Sequence, residues 1–342
     1  MKCKRLFALL LATLLLLCAG CGEAPAPGAE LPAPSGSTTN VSDVENPDAN
    51  ASTPSQNSGT AQSAIQPLLY KVADAKGNEA YLFGSIHVGR ENFYPLPDYV
   101  TNAFHQSDKL AVEFDVLAFE KDVTAQTEAL TQLMYLDGTT IKDHIPEQLY
   151  KDAVAIMTKH GEYTAVLDYY YPSIWSSFID NYTVPEGATD LGIDVNLIQM
   201  AYDSNKPVVD VESAALQYGM MANYSEPLQE MLLESSVEGY KNDAAEAVEE
   251  MLDIWASGDA DRFRQFLEAE DDSLSTPEEQ ALYAEYQKAM MTDRDAGMVR
   301  FVKQAVASGD TVFVCVGAAH VMGKNGMLDQ LKAAGYTITQ VR

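Results

Sequence analysis

The sequence has few basic residues, few cysteines and only one long hydrophobic run. Twenty-two Lys and Arg stand against 50 Asp and Glu, which gives a formal net charge of −28. A surface this acidic repels phosphate backbones, so no nucleic-acid partner is expected. Four cysteines in 342 residues exclude a disulfide scaffold, and a hydrophobic content of 46% excludes a wholly disordered chain.

Several common catalytic motifs are missing from the sequence. There is no His-Glu-x-x-His, no Gly-x-Ser-x-Gly, no Walker loop and no Gly-x-Gly-x-x-Gly after a predicted strand. The chemistry of the protein must therefore be sought in less familiar patterns.

The single long apolar run, Leu6–Leu17, follows three basic residues near the N-terminus. It is shorter than the ~20 residues of a membrane-spanning helix, so it predicts a signal peptide over residues 1–20. Ala19-Gly20-Cys21 resembles a bacterial lipobox, which implies a lipid on Cys21. We therefore expect an extracytoplasmic protein that is anchored to the bacterial cell membrane by this lipid only. Plain secretion with cleavage nearby is the alternative.

The segment after the signal has a different composition from the rest of the chain. Residues 22–66 contain no Lys, no Arg and no aromatic residue. Such a segment buries too little apolar surface to offset its ordering entropy, so 21–66 is predicted to be a lipidated, disordered linker. The folded domain is then 67–342, about 275 residues, which is large enough for a substantial core.

Hydrophobic periodicity predicts strands at both ends of this domain and helices between them. Strands are predicted at 68–72, 80–86, 110–116, 207–211, 311–316 and 336–341. Helices are predicted at 97–106, through most of 118–182 and 226–306, and at 328–334. The turn-rich segment 74–78 predicts a hairpin of the first two strands. Thr276-Pro277-Glu278-Glu279 indicates a helix start and Gly335 a helix end, and Cys315 is expected to be a core thiol. The pattern favours an α/β (or α+β) fold with a mixed sheet and a central helical insertion.

Two segments share a strand followed by Gly-x-x-His. They are Gly84-Ser85-Ile86-His87 and Gly317-Ala318-Ala319-His320. Glycine allows a close backbone approach or a positive φ where the strand ends, and α/β sheets often keep their sites at strand ends. We therefore expect the two halves to bring both imidazoles to one crevice. The alternative is that each histidine is simply a hydrogen-bonded, half-buried ring.

Glu113 is the third residue of interest, since it is a carboxylate within an apolar strand. Two histidines and one carboxylate with open positions suit zinc, manganese, iron or cobalt. A metal held in this way supports hydrolysis. A solvated strand face, or an ion pair between Glu113 and Arg294, is the alternative reading.

Four blocks of the sequence, in this order and spacing, resemble the TraB/GumN (TraB/PrgY) family over nearly all of 67–342. The blocks are Gly84–His87 with Leu96-Pro97 and the Glu113 strand; Leu191-Gly192-Ile193-Asp194 with Lys206-Pro207-Val208 and Glu212; Asp293-Arg294-Asp295; and Gly317–His320 with Gly323 and 331–336. In the third block Asp295 stands where the family usually has Asn.

The resemblance implies a relation to the Tiki metalloproteases, which are membrane-tethered peptidases that depend on manganese or cobalt. It implies that His87, His320 and Glu113 are metal ligands. Glu113 would also take part in catalysis, and Arg294 would clamp the transition state or a substrate carboxylate.

The resemblance also assigns secondary roles to Asp194, Glu212 and the two motif glycines, Gly84 and Gly317. The expected protein is a surface-tethered, metal-dependent peptidase-like hydrolase with manganese, cobalt or zinc, acting on a peptide or protein substrate. Two alternatives stay open. One is a non-catalytic lipoprotein that binds haem or metal through the same histidines, since a remotely similar fold occurs in haem-binding iron-regulated lipoproteins. The other is an interaction module that uses its acidic helices.

Overall fold

The computed structural model describes residues 65–242, 244–269 and 274–342. The predicted signal peptide, Cys21 and nearly all of the predicted linker lie outside these residues. Within these ranges, none of the helices is both long enough and apolar enough to cross a membrane.

The domain is built on a mixed six-stranded sheet with the strand order β4-β3-β5-β2-β1-β6. The strands are β1 (Leu69–Ala73), β2 (Glu79–Ser85), β3 (Lys109–Val112), β4 (Val208–Asp210), β5 (Val312–Gly317) and β6 (Thr337–Val341). Strands β2, β5, β3 and β4 are parallel to one another, whereas β1 is antiparallel to both β2 and β6. The carboxyl ends of the four parallel strands therefore lie at one edge of the sheet.

Helices fill the connections, mainly in two stretches, one between β3 and β4 and one between β4 and β5. The helices are α1 (Asp98–Gln106), α2 (Val116–Phe119), α3 (Val123–Thr131), α4 (Glu147–Lys159), α5 (Pro172–Asn181), α6 (Ile193–Asp203), α7 (Ala214–Ala222), α8 (Glu226–Lys241), α9 (Ala245–Ser257), α10 (Ala260–Glu268), α11 (Pro277–Gln287), α12 (Arg294–Ser308), α13 (Ala318–Met322) and α14 (Met327–Ala333). The predicted α/β class and mixed sheet are confirmed.

The residues of strand β5 are all buried in the core. The Phe313 ring lies 5.7 Å from the Phe83 ring and 5.9 Å from the Phe104 ring, between centroids. Trp255 of α9 packs edge-on against Phe83, and its Nε1 donates a hydrogen bond to the Gly84 carbonyl. Aromatic burial of this kind stabilises the sheet and fixes the end of β2.

Several local predictions are confirmed. Strands β1 and β2 form the expected hairpin. Thr276 caps α11 in a capping box with Glu279. Gly335, at φ +89°, follows the C-terminal end of α14. Cys315 is buried in β5, and burial raises the pKa of its thiol well above the usual value.

The predicted strand over 110–116 is wrong beyond Val112, where β3 ends. The cause is Asp115, which turns the chain. Its side chain accepts a hydrogen bond from the Ala118 amide and so caps α2, while its own amide donates to Asp210. Glu113 consequently lies just past the strand end and is not on a strand face.

Candidate functional site at the carboxyl edge of the sheet

Four residues singled out in the sequence follow the four parallel strands at the same sheet edge. His87 comes shortly after β2, Glu113 directly after β3, Glu212 shortly after β4, and His320 within α13, which begins where β5 ends. The pairing of β2 with β5, β5 with β3 and β3 with β4 places these positions side by side. Ligand sites of α/β sheets commonly lie at this edge.

The motif glycines allow the chain to pack closely at this edge. A Cβ on Gly84 would lie 3.0 Å from the Cα of Ala318. A Cβ on Gly317 would lie 3.3 Å from Glu113 Oε1 and 3.5 Å from His320 Cδ2. Gly317 has φ −51°, so close approach explains its role and positive φ does not.

His87 is oriented by Asp194, which lies in the first turn of α6. The His87 Nδ1 is 2.9 Å from Asp194 Oδ2, and both side chains are buried. The Ile193 amide donates to the Ile86 carbonyl at 3.0 Å, which ties the start of α6 to the chain beside His87. Burial alone would lower the pKa of His87, but the carboxylates of Asp194 and then Glu113 outweigh burial and raise it to about 9.

His320 is held in a similar way by Asp295, which lies in the first turn of α12. The His320 Nδ1 is 2.6 Å from Asp295 Oδ1, and both residues are buried. Within the described part of the chain, the Nε2 atom of His320 is buried and has no hydrogen-bond partner. A ring whose Nδ1 faces a carboxylate offers Nε2 as a lone-pair donor.

Glu113 accepts hydrogen bonds from three residues. Its Oε1 accepts from the Gly317 amide at 2.9 Å, and its Oε2 accepts from Arg294 Nη2 at 2.6 Å and Gln217 Nε2 at 3.0 Å. Burial would raise the pKa of Glu113, but the charge of Arg294, with those of both imidazoles, lowers it below its usual range. Glu113 is therefore an ionised carboxylate whose oxygens already have partners.

Arg294 is shared between two carboxylates. Besides Glu113, it donates through Nη2 and Nε to Glu212 Oε2 at 2.8 and 3.0 Å, and all three side chains are buried. Gln217 Nε2 also donates to Glu212, at 3.1 Å. The pairing of Glu113 with Arg294 was the alternative reading of Glu113, and this pairing is what the structure shows.

A π-helical turn, Lys288–Asp293, immediately precedes Arg294. Such turns are rare and frequently occur at functional sites. Directly after this turn, two successive residues contact segments that follow different strands. Arg294 contacts Glu113, after β3, and Asp295 contacts His320, after β5. The sequence periodicity predicted helix through most of 226–306 and did not distinguish this turn from its flanking helices.

The two imidazoles are the part of the predicted donor set that suits a metal ion. Each of the two histidines has Nδ1 against a carboxylate, and His320 Nε2 is an orphaned buried atom. Among the residues that the structure describes, no group of three or more His, Cys, Asp or Glu side chains is arranged to hold a metal. Glu113, predicted as the third ligand, has its oxygens engaged by Arg294, Gln217 and Gly317.

The six predicted polar residues of the domain thus lie at this edge in three buried hydrogen-bonded groups: His87 with Asp194, Glu113 and Glu212 with Arg294, and His320 with Asp295. The sequence analysis did not predict two of the hydrogen-bond partners, Asp295 and Gln217. The sequence analysis named Asp295 only because the family usually has Asn at this position. Its place next to Arg294 could have indicated that it lies near the site. Gln217 carries no sequence signal beyond lying five residues after Glu212.

The fold and the site define an α/β protein with two Gly-x-x-His imidazoles and a buried carboxylate–arginine network at one sheet edge. Residues 68–340 match the TraB/PrgY/gumN family, and the chain belongs to this family. It is similar to the uncharacterized protein YbaP of Shigella flexneri, with 23% identity over 259 residues that cover 74% of this chain and 88% of that protein. No solved structure matches the chain.

Proposed function

We propose that this protein is a metal-dependent, peptidase-like hydrolase that is tethered to the outer face of the bacterial cell membrane through a lipid on Cys21. One observation carries the proposal. The imidazoles of both Gly-x-x-His motifs lie at the same sheet edge, each with Nδ1 fixed by a buried carboxylate. This arrangement is typical of histidines that bind metal through Nε2.

His87 and His320 would hold the ion, with manganese, cobalt or zinc as the candidates. The ion would supply Lewis-acid polarisation of a carbonyl and would acidify water. Asp194 and Asp295 hold the two rings in place, and His87, whose pKa is raised to about 9, would release a proton on binding the ion. The remaining coordination positions would belong to water and substrate.

Glu113 and Arg294 would act as one unit. Arg294 keeps Glu113 ionised beside both imidazoles, and this negative charge favours a cation at the site. Glu113 would then ligate the ion or accept a proton only after releasing one of its present hydrogen bonds. Likewise, Arg294 would stabilise developing negative charge by exchanging one of its carboxylate contacts for the substrate.

The proposal is tested by turnover of fluorogenic peptides. The full-length chain is stripped with a chelator and reloaded with manganese, cobalt or zinc. We expect hydrolysis in at least one of these forms, and its loss in Glu113→Gln. The matched control is Glu128→Gln, at an exposed position of α3. Unchanged turnover across His87→Ala, His320→Ala and Glu113→Gln would overturn the proposal.

Haem titration addresses the binding-protein alternative. A Soret band that appears with the apo protein and disappears in His87→Ala would favour haem ligation over hydrolysis. Under the proposal, the two buried imidazoles serve a metal ion, and no such band is expected.

A further inference from the structure

A cavity of about 220 Å³ lies in the helical insertion and shares no residue with the candidate site. It is formed mainly by the segment between α3 and α4, the start of α5 and the first turns of α8. Pro172 and Gln229 are buried members of its lining, while Tyr135, Tyr171 and His144 are half-buried. The volume is below the ~300–1,000 Å³ of typical ligand pockets. A ligand of this cavity must therefore be small.

Aromatic rings form one corner of the cavity. The Tyr135 and Tyr171 rings lie 4.6 Å apart between centroids, at an angle of 63°, and the His144 ring stacks on Tyr135 at 4.1 Å. Backbone hydrogen bonds place the two tyrosines side by side. The Tyr135 amide donates to the Tyr169 carbonyl at 2.7 Å, and the Tyr171 amide donates to the Leu133 carbonyl at 2.9 Å. Aromatic ring faces attract cations, and cages of such rings recognise quaternary ammonium groups.

The charges of the lining also favour a cation. Asp137 and Glu226 are exposed members of the lining. Among the described lining residues there is no Lys or Arg, and His144 supplies the only basic side chain. The two carboxylates outnumber this imidazole, so at neutral pH the lining is net negative in either protonation state of His144. Burial, followed by the charge of Glu226, raises the pKa of the Tyr135 hydroxyl, so the Tyr135 ring stays neutral.

Several polar atoms of the lining already have partners within the chain. Glu226 Oε1 lies 3.1 Å from His144 Nδ1, and Asp137 Oδ1 accepts from the Thr139 hydroxyl at 2.7 Å. Both ends of the Gln229 amide bond to backbone groups, at 3.4 and 3.5 Å. A primary ammonium needs acceptors for three N–H groups. A quaternary ammonium has no N–H and needs only ring faces and nearby negative charge, so it suits this lining better.

We infer that this cavity binds a small solute that carries a quaternary ammonium head group. The Tyr135 and Tyr171 rings contact the methyl groups of the ligand, and Asp137 and Glu226 supply the negative charge. The same carboxylates repel a phosphate next to the head group, so a free solute binds in preference to a phospholipid head group. The inference goes beyond the proposed function and does not depend on it.

Isothermal titration calorimetry of the full-length chain, without added metal, tests the inference. The probes are choline, its uncharged isostere in which carbon replaces nitrogen, ethanolamine and phosphocholine. Choline should bind saturably, and at least about tenfold tighter than any of the other three. No saturable binding of choline, or equal binding of the uncharged isostere, would overturn the inference. Equal binding of ethanolamine would overturn the quaternary head group, and tighter binding of phosphocholine would overturn the free solute.

Two variants and two matched controls locate the site. Tyr171→Leu removes a ring wall, and Glu226→Gln removes a charge without adding bulk. Each should weaken choline binding by at least about threefold. Tyr171→Phe keeps the ring, and Glu238→Gln changes an exposed position of α8 outside the cavity, so both should bind choline as the wild type does. Wild-type affinity in a folded Tyr171→Leu protein, or in Glu226→Gln, would place choline elsewhere and overturn the inference.

Discussion

At the scale of single residues, the account depends on carboxylates that hold imidazoles. Asp295 contacts His320 at 2.6 Å inside the protein, and such partners typically contribute about 10–100-fold to metal affinity. We therefore expect Asp295→Ala to weaken metal binding by about this factor, as measured by competition with a chromophoric chelator.

Asp295→Asn separates charge from orientation. The amide oxygen can still accept from Nδ1, so the affinity of this variant should lie between those of the wild type and Asp295→Ala. Asp203→Ala, at an exposed position of α6, is the control. Wild-type affinity in Asp295→Ala would contradict the positioning role.

A second prediction at this scale concerns the close approach at Gly84. A methyl group there would meet the Cα of Ala318 at 3.0 Å. Because this contact is with backbone, Gly84→Ala should destabilise the protein by about 1–3 kcal/mol in urea unfolding. At Gly297 the nearest atom to an added Cβ is 3.7 Å away, so Gly297→Ala in α12 should be neutral or stabilising by up to ~1 kcal/mol. Equal effects of the two substitutions would contradict this packing.

At the scale of elements, α5 contains an unusual buried acid. Burial raises the pKa of Asp180 to about 8, although a hydrogen bond with Ser236 acts in the opposite direction. The unfolded value is about 3.9, so between these pH values the folded state holds a proton that the unfolded state has lost. Stability from this group is therefore complete below pH ~4 and declines as the pH rises toward 8.

Asp180→Asn should remove this dependence, because an amide keeps the shape of the protonated acid and cannot ionise. We expect the variant to be more stable than the wild type at pH 8 by roughly 2–4 kcal/mol and much closer to it at pH 5. Urea unfolding at both pH values measures the difference. A parallel pH profile for the two proteins would refute the assignment.

Elements with strong local signals were predictable from the sequence. The hairpin of β1 and β2 and the start of α11 at Thr276 follow from turn residues and a capping box that act over a few positions. The strand over 110–116 was predicted too long, because the alternation continues past Val112 while the Asp115 cap decides the backbone. The hydrophobic alternation favours a longer strand, but β3 ends at Val112 and the Asp115 side chain caps the helix that follows.

At the scale of the whole molecule, the order of the motifs along the chain picked out polar residues that lie at one edge of the sheet. It could not predict how they pair. His87 meets Asp194 across 107 residues of chain, and Arg294 meets Glu113 across 181. Such pairings depend on the sheet order, which places β5 between β2 and β3. The alternation of apolar residues does not encode that order.

The central claim is that the two Gly-x-x-His motifs form one metal site, and metal stoichiometry tests it most directly. The full-length chain is stripped and reloaded with manganese, cobalt or zinc, beside His87→Ala, His320→Ala and a control, His105→Ala, at an exposed position of α1. The account predicts one tight equivalent in the wild type and the control, lost in either motif variant. No metal in the wild type, or full binding by either motif variant, would contradict it.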